Sequence, residues 1–162
     1  MENINKEDFW LVGFADGESC FSISFNLRAK MNYGIEIRPS FSVSQKRDRE
    51  NVNYEVLVQI MNFFHGGSIR FSKSDQTWKY ETRNIEHINS QIIPYFENFS
   101  LRTSKKNDFL RFKRVCSLIK SKHHLSIDGI KEIIEISSTM NVSGKRKFSK
   151  DFLLRLVSKV KI

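Results

Sequence analysis

Two carboxylates lie two residues apart in Ala15-Asp16-Gly17-Glu18, at the end of a short apolar run. Carboxylate oxygens are hard donors that suit a hard divalent cation. An acid at a helix end also has blander uses, so its neighbours must decide. Few other groups compete for chemistry. His65, His87, His123 and His124 show no metal-ligand spacing with cysteine or carboxylate, and read as surface or cap residues. Cys20 and Cys116 are the only cysteines, too few for a disulfide framework or a zinc site, and a reducing compartment is the default. The chain contains no glycine-rich phosphate loop and no nucleophile elbow. Ile127-Asp128-Gly129 echoes Ala15-Asp16-Gly17, but no alternating strand follows it, so it reads as a decoy.

The acidic pair must be positioned by what surrounds it. Residues 6–18 (KEDFWLVGFADGE) read as a short helix with Phe9, Leu11, Val12 and Phe14 as apolar surface. Gly13 and Gly17, four apart, share one face. Glycine costs a helix up to ~1 kcal/mol per residue, so close approach of a second backbone is one explanation. A C-cap at Gly17 is the other. Residues 20–29 alternate strictly, with Phe21, Ile23, Phe25 and Leu27 on one face and Ser22, Ser24, Asn26 and Arg28 on the other. Met31–Gly34 is a turn, with Lys30 just before it. Residues 35–45 alternate again, turning Ile35, Ile37, Phe41 and Val43 inward and Glu36, Arg38, Ser40, Ser42 and Ser44 outward. Pro39 falls on the buried phase and argues for an edge or a bulge.

A helix over 51–64 stops at Gly66-Gly67, and a second hairpin joins 68–73 to 77–83. There Ile69, Phe71, Trp78 and Tyr80 take the buried phase, and Arg70, Ser72, Thr77, Lys79 and Glu81 the other. The remainder is helical over 85–99 (kinked or broken at Pro94), 106–121, 127–137 and 149–160. Helix, hairpin, helix, hairpin and then helices make an α+β fold: a four-stranded antiparallel sheet with helices on one face. With 162 residues and no long linker, one domain spanning 1–162 is expected, with its core at about 7–120 and C-terminal helices at about 121–162.

Charge suggests the partner. The net charge is +9, which favours a polyanion, most often nucleic acid. Residues 1–81 carry 10 Lys+Arg against 11 Asp+Glu, whereas 82–162 carry 17 against 7. The second half therefore suits phosphate contact, especially the basic stretch 102–122. The outward faces of the near-neutral first half carry hydrogen-bonding groups that suit base edges in a major groove, although any half-buried sheet is polar outside. No apolar run is long enough to cross a bilayer. Met1–Asp8 resembles neither a signal nor a transit peptide, so export is not expected. Alanine occurs only at Ala15 and Ala29 while Phe, Ile, Lys and Asn abound, a weak sign of an AT-rich genome such as an organelle's.

Leu11-Val12-Gly13-Phe14-Ala15-Asp16-Gly17-Glu18-Ser19 resembles the LAGLIDADG motif of homing endonucleases in order and residue type. Its context resembles the family too. The strand Phe-Ser-Ile-Ser-Phe follows at once, then Phe41-Ser42-Val43-Ser44-Gln45, Pro94-Tyr95-Phe96 and Thr103-Ser104-Lys105-Lys106-Asn107-Asp108-Phe109, so the likeness spans about residues 7–120.

The resemblance implies an αββαββα core with a saddle-shaped sheet over the DNA major groove. It implies that Leu11, Gly13, Phe14 and Gly17 face a partner motif helix. It makes Glu18, where aspartate is also common, the metal-binding carboxylate, with the Gly17 carbonyl as a second ligand and Asp16 structural. It places Gln45 near the attacking water and makes Lys105 a basic residue that stabilises charge or helps position water, with Lys106 as the alternative and Arg49 at the periphery. The implied cofactor is Mg²⁺, with Mn²⁺ or Ca²⁺ able to substitute in binding. The implied DNA-contacting set is Ser22, Ser24, Asn26, Arg28, Lys30, Glu36, Arg38, Ser40, Ser42, Ser44, Arg49, Arg70, Ser72, Lys79 and Lys106. One motif copy supplies half a metal site, which implies a homodimer on a near-palindromic double-stranded DNA target, cut to leave short 3′ overhangs. Neither a membrane nor a small-molecule substrate is expected. An intron RNA maturase or a catalytically silent DNA-binding regulator of the same fold is the alternative.

Overall fold

The computed structural model describes residues 6–159; most of the polar N-terminal stretch and the last three residues of the expected single domain lie outside the described residues. The elements run α1 (Lys6–Glu18), β1 (Ser19–Leu27), β2 (Ile35–Lys46), α2 (Val52–Phe63), β3 (Ser68–Ser72), β4 (Thr77–Thr82), α3 (Ile85–His87), a π-helical turn (Ile88–Ile92), α4 (Ile93–Asn98), α5 (Lys105–Lys120), a 3₁₀ turn (His123–Leu125), α6 (Ile127–Ser138) and α7 (Lys150–Lys159). The four strands form one antiparallel sheet in the order β1-β2-β4-β3. The chain folds into two compact units. The first holds the residues up to Phe21 with Ser40–Lys106, the second Ser22–Pro39 with the residues from Asn107 onward.

The first unit is built on aromatic packing. Phe21, Phe41, Phe64, Tyr95 and Phe96 are buried. Ring centroids lie 5.0 Å apart for Phe21–Phe41 and 5.4 Å apart for both Phe41–Phe96 and Phe64–Tyr95. Such pairs add ~0.5–1.5 kcal/mol beyond burial of their area. The strands deliver these rings by simple alternation: Phe41 and Val43 of β2 lie opposite Thr82 and Tyr80 of β4 on the covered face. His87 locks the entry to the following helix. Its Nε2 lies 2.6 Å from the Phe64 carbonyl, which can only accept, so Nε2 carries the proton and Nδ1 accepts from the Thr82 hydroxyl at 2.9 Å.

The second unit buries Ile130, Ile133 and Ile134 of α6, Phe112, Val115 and Cys116 of α5, and Leu153 and Val157 of α7. Burial pushes the Cys116 thiol up to about 12, so it stays protonated and inert. The decoy glycine has a packing role: a Cβ at Gly129 would stand 2.0 Å from the His123 carbonyl oxygen. Ser126 caps α6 by accepting from the Gly129 N–H at 3.1 Å.

The two prolines differ in outcome, and the edge expectation for Pro39 is corrected. Pro39 is not on an edge strand, because β2 lies between β1 and β4. It is tolerated because pairing of β2 with β4 begins only at Phe41, so its missing N–H removes no bond of that ladder. Pro94 interrupts the regular α-helix without ending the helical run. The helical run continues from Ile85 to Asn98, with the π turn Ile88–Ile92 just before it and Pro94 in the first turn of α4. Widening the turn there accommodates a residue that cannot donate and whose ring crowds the preceding carbonyls.

Gly67 ties the β3 entry to the core. It adopts φ +94°, and a Cβ there would lie 2.5 Å from the ring of Tyr80. Tyr80 is fully buried, and its hydroxyl donates to the Gly66 carbonyl at 3.0 Å. Burial raises its phenol well above the usual range, so it stays a neutral donor. Gly67→Ala combines a disfavoured backbone angle with a clash against a fixed ring. It is expected to cost about 2–3 kcal/mol, read as a lower urea midpoint with an unchanged m-value.

Candidate metal and DNA-binding site

The site is assembled at the C-terminal end of α1, entirely within the first unit. Leu11 and Ala15 share one face of α1 and are buried. Leu11, expected against a partner helix, therefore belongs to this chain's own core. Its i, i+4 relation to Ala15 puts it on the opposite side from Gly13 and Gly17. Those glycines are exposed, and a Cβ built at either meets nothing within 4 Å. No close packing among the described residues requires them. Phe14 is half-buried and stacks on Trp10 at 5.3 Å, while Phe9 and Trp10 stay largely exposed.

α1 has no basic residue in its last turn. The end of a helix carries unsatisfied carbonyls and partial negative charge. Lys105, 88 residues from Gly17 in sequence, supplies the cation. Its Nζ donates to the Gly17 carbonyl at 3.2 Å and to the Ser19 carbonyl. Lys106, the alternative, is exposed and lines a shallow depression with Ser100, Leu101 and Arg102.

Asp16 holds the segment that carries Lys105. Its carboxylate accepts from the Arg102 N–H at 2.9 Å, the Thr103 N–H at 3.1 Å and the Thr103 hydroxyl at 2.7 Å. The Thr103 hydroxyl in turn accepts from the Lys105 N–H at 3.2 Å. Burial works to raise the Asp16 carboxyl, but it is outweighed by the Thr103 hydroxyl, the two backbone donors and the nearby Lys105 charge, which together hold it below its ordinary value. This latch was not read from the sequence. Its one signal was the Thr103-Ser104-Lys105 segment, whose hydroxyl suits a carboxylate partner.

Glu18 ends α1 and is exposed. Gln45 reaches it because it shares the phase of Phe41 and Val43 and so faces the helix layer. Its Nε2 donates to Glu18 Oε2 at 3.2 Å. The structure thus gathers Gly17, Glu18, Gln45 and Lys105 around one helix end. The donor set fits a hard divalent cation in part. Glu18 offers a carboxylate, and the Gly17 carbonyl has a second lone pair beside the one facing Lys105. Among the described residues no three His, Cys, Asp or Glu cluster as a metal cage. Further oxygens would have to come from water, phosphate or another copy.

Most of the expected outward residues lie where alternation put them, within their own units. In the first unit, Ser44 and Lys79 are directly opposed, and Arg70 opposes Lys79 from β3. Ser72 bonds Ser74 at 3.1 Å, and Arg49 is exposed before α2. In the second unit, Ser24 donates to the Arg38 carbonyl at 3.2 Å and Arg28 pairs with Glu36 at 3.2 Å. Asn26, in the amide orientation that satisfies both its ends, accepts from Arg38 Nη1 at 3.0 Å. Ser22 is half-buried, and Lys30 is exposed at the hairpin turn. Ser40 and Ser42 are corrections: both are buried, at 6% and 3% exposure. Ser42 sits opposite Glu81, on which three basic residues converge. Arg47, over the Phe71 ring at 5.8 Å, was not anticipated.

A model described as LAGLIDADG endonuclease matches residues 11–116. The chain belongs to the LAGLIDADG endonuclease family. The probable intron-encoded endonuclease 2 of Neurospora crassa is 30% identical over 131 residues, 81% of this chain and 26% of that protein. DNA endonuclease I-CeuI of Chlamydomonas moewusii is 26% identical over 129 residues, 76% of this chain and 57% of that protein. The chain thus spans about a quarter of the Neurospora relative. Among solved structures, the homing endonuclease I-TnaI superposes with a TM-score of 0.81 at 26% identity, covering 98% of this chain and 100% of that one. I-LtrWI bound to target DNA gives 0.78 at 28% identity, covering 90% and 47%.

Asp16→Asn should loosen the latch. The bonds it weakens are charge-assisted but partly solvated, so the expected loss is about 1 kcal/mol. A depressed folded-state carboxyl stabilises above the unfolded value and loses that contribution as pH falls through the folded value. The wild type should therefore lose stability relative to Asp16→Asn on acidification below about pH 4, measured as Tm against pH for both proteins.

Proposed function

We propose that this chain is a homing endonuclease: a divalent-metal-dependent hydrolase that cuts both strands of a long, near-palindromic DNA site as a homodimer. The whole chain would act as one endonuclease domain. The observation that carries this reading is the convergence of Glu18, Gln45 and Lys105 on the end of a helix whose two glycines, given a Cβ, would meet nothing within 4 Å among the described residues. Family membership, and relatives named as intron-encoded endonucleases, support it.

Glu18 and the Gly17 carbonyl would hold the metal, and Mg²⁺ suits oxygen donors of this kind. When bound, the metal supplies charge to polarise a phosphate and lowers the pKa of a bound water. Gln45 fixes the Glu18 carboxylate through one oxygen and offers an amide beside it for orienting water. Lys105 keeps positive charge at the helix end, where negative charge would otherwise accumulate. I-SmaMI, similar at 29% identity, was solved with its DNA target in the presence of calcium ions. Its example supports Ca²⁺ as a substitute in binding. Outward residues of β1 to β4 would contact DNA. An organelle gene is the proposed origin, since relatives include proteins named for cox1 and ND4 introns.

Glu18→Gln should abolish cleavage of a site selected from a randomised duplex library, while binding to that site persists. Gln45→Ala should slow cutting on the order of 10–100-fold. Full cutting by Glu18→Gln would move the metal role elsewhere. A wild type that binds its host's intron RNA but cuts no DNA would make it a maturase.

Gly13→Leu tests the dimer. It should stabilise the separate chain by up to ~1 kcal/mol through helix propensity, because its Cβ meets nothing within 4 Å. Sedimentation should nevertheless shift from twice the chain mass of 19.1 kDa to the monomer. A wild type already monomeric on DNA would overturn the homodimer.

A further inference from the structure

Glu81 stands out on the polar face of the first unit. It lies on β4, between the two strands that flank it, opposite Ser42 on one side and Ser68 on the other. Its side chain is 9% exposed, and three cations converge on it. Arg83 Nη2 lies 2.9 Å from Oε2, Lys79 Nζ 3.1 Å from Oε1 and Arg70 Nη2 3.6 Å from Oε2. These three side chains are themselves 42%, 30% and 60% exposed. The carboxylate is thus at the bottom of the cluster, and the cationic ends sit above it.

An acid on a surface that must meet a polyanion works against binding, so its presence needs a reason. Isolated cations on long side chains move freely and attach to phosphates of any sequence. Cations anchored on a buried carboxylate are held in fixed directions, and direction is what base-edge recognition requires. Burial works to raise the Glu81 carboxyl, but the Lys79 hydrogen bond and the charges of Lys79, Arg83 and Arg70 more than reverse this, so it stays ionised. The cluster carries a formal surplus of positive charge, so it can still approach DNA.

We propose that Glu81 is a specificity-determining positioning residue: it orients Arg70, Lys79 and Arg83 toward base edges and lowers sequence-independent affinity. The inference rests on the reading of this chain as a sequence-specific DNA-binding enzyme. It assigns roles to Glu81 and Arg83 that the sequence pattern alone did not suggest.

The test compares the wild type, Glu81→Gln and the double variant Glu81→Gln/Arg83→Gln. Each is bound to a randomised duplex library with divalent metal chelated, and bound sequences are counted. Binding to a single arbitrary duplex is measured across a potassium chloride series, and a thermal melt confirms folding. Glu81→Gln should bind the arbitrary duplex about tenfold more tightly. Its log K against log salt slope should steepen by about one, and its base preference should flatten at a few contiguous positions. Arg83→Gln added to it returns the cluster to its wild-type net charge, so the salt slope should return while the lost preference does not. An effect of charge alone would restore both and overturn the proposal. So would Glu81→Gln with unchanged base preference. If Glu81→Gln fails to fold, Arg83→Gln alone decides: intact base preference at every position overturns the proposal. A wild type that binds duplexes without any preference overturns the DNA-reading assignment itself.

Discussion

The ammonium of Lys105 on the carbonyls of Gly17 and Ser19 joins two parts of the chain that are far apart in sequence. A helix that ends in solvent can recruit water for its last carbonyls. α1 instead ends beside a carboxylate, Glu18, whose charge adds to the negative end of the helix. A cation there is worth about 0.3–1 kcal/mol to the helix, but its larger effect is geometric. It fixes where the helix stops and hence where Glu18 emerges. Asp16 and Thr103 make that placement reproducible by holding the backbone of Arg102 and Thr103. The first acid of the motif thus locates the lysine, and the lysine locates the second acid.

The elements were legible because two periodicities are clean in this chain. Alternation in 20–29 and 35–45 set both strands of the first hairpin, and it also decided that Gln45 faces the helix layer while Ser44 does not. The glycine pair on α1 was visible as a pair, but its surroundings were not. Leu11 shows the limit: within one turn of Gly13, it faces the opposite way into the core. Pro39 misled, and Pro94 disturbed its helix only locally, for a shared reason. Proline rules concern a missing donor and a local clash, and both are harmless where a ladder has not begun or a turn widens to π.

What the sequence hid was mostly polar and long-range. No pattern within a few residues announces that Asp16 accepts from Thr103, or that Phe64 and Thr82 share the two nitrogens of His87. Outwardness of Glu81 could be read from alternation, but not its burial. An alternating pattern says which way a side chain leaves the strand, and says nothing of what longer neighbours do above it. The same blindness explains Ser40 and Ser42, which leave the sheet on the open side and are still covered.

If two copies meet at the exposed glycine face of α1, as proposed, there is a consequence for dosage. A cutting site shared between two copies follows the law of mass action. Well below the dimer's dissociation constant, competent molecules then grow with the square of the chain's concentration. Halving expression would cut the active species about fourfold, by that same law. On the proposed reading, such an enzyme would be nearly silent when scarce and would rise steeply once its gene is well transcribed. A nuclease whose product is a double-strand break would thereby limit stray damage.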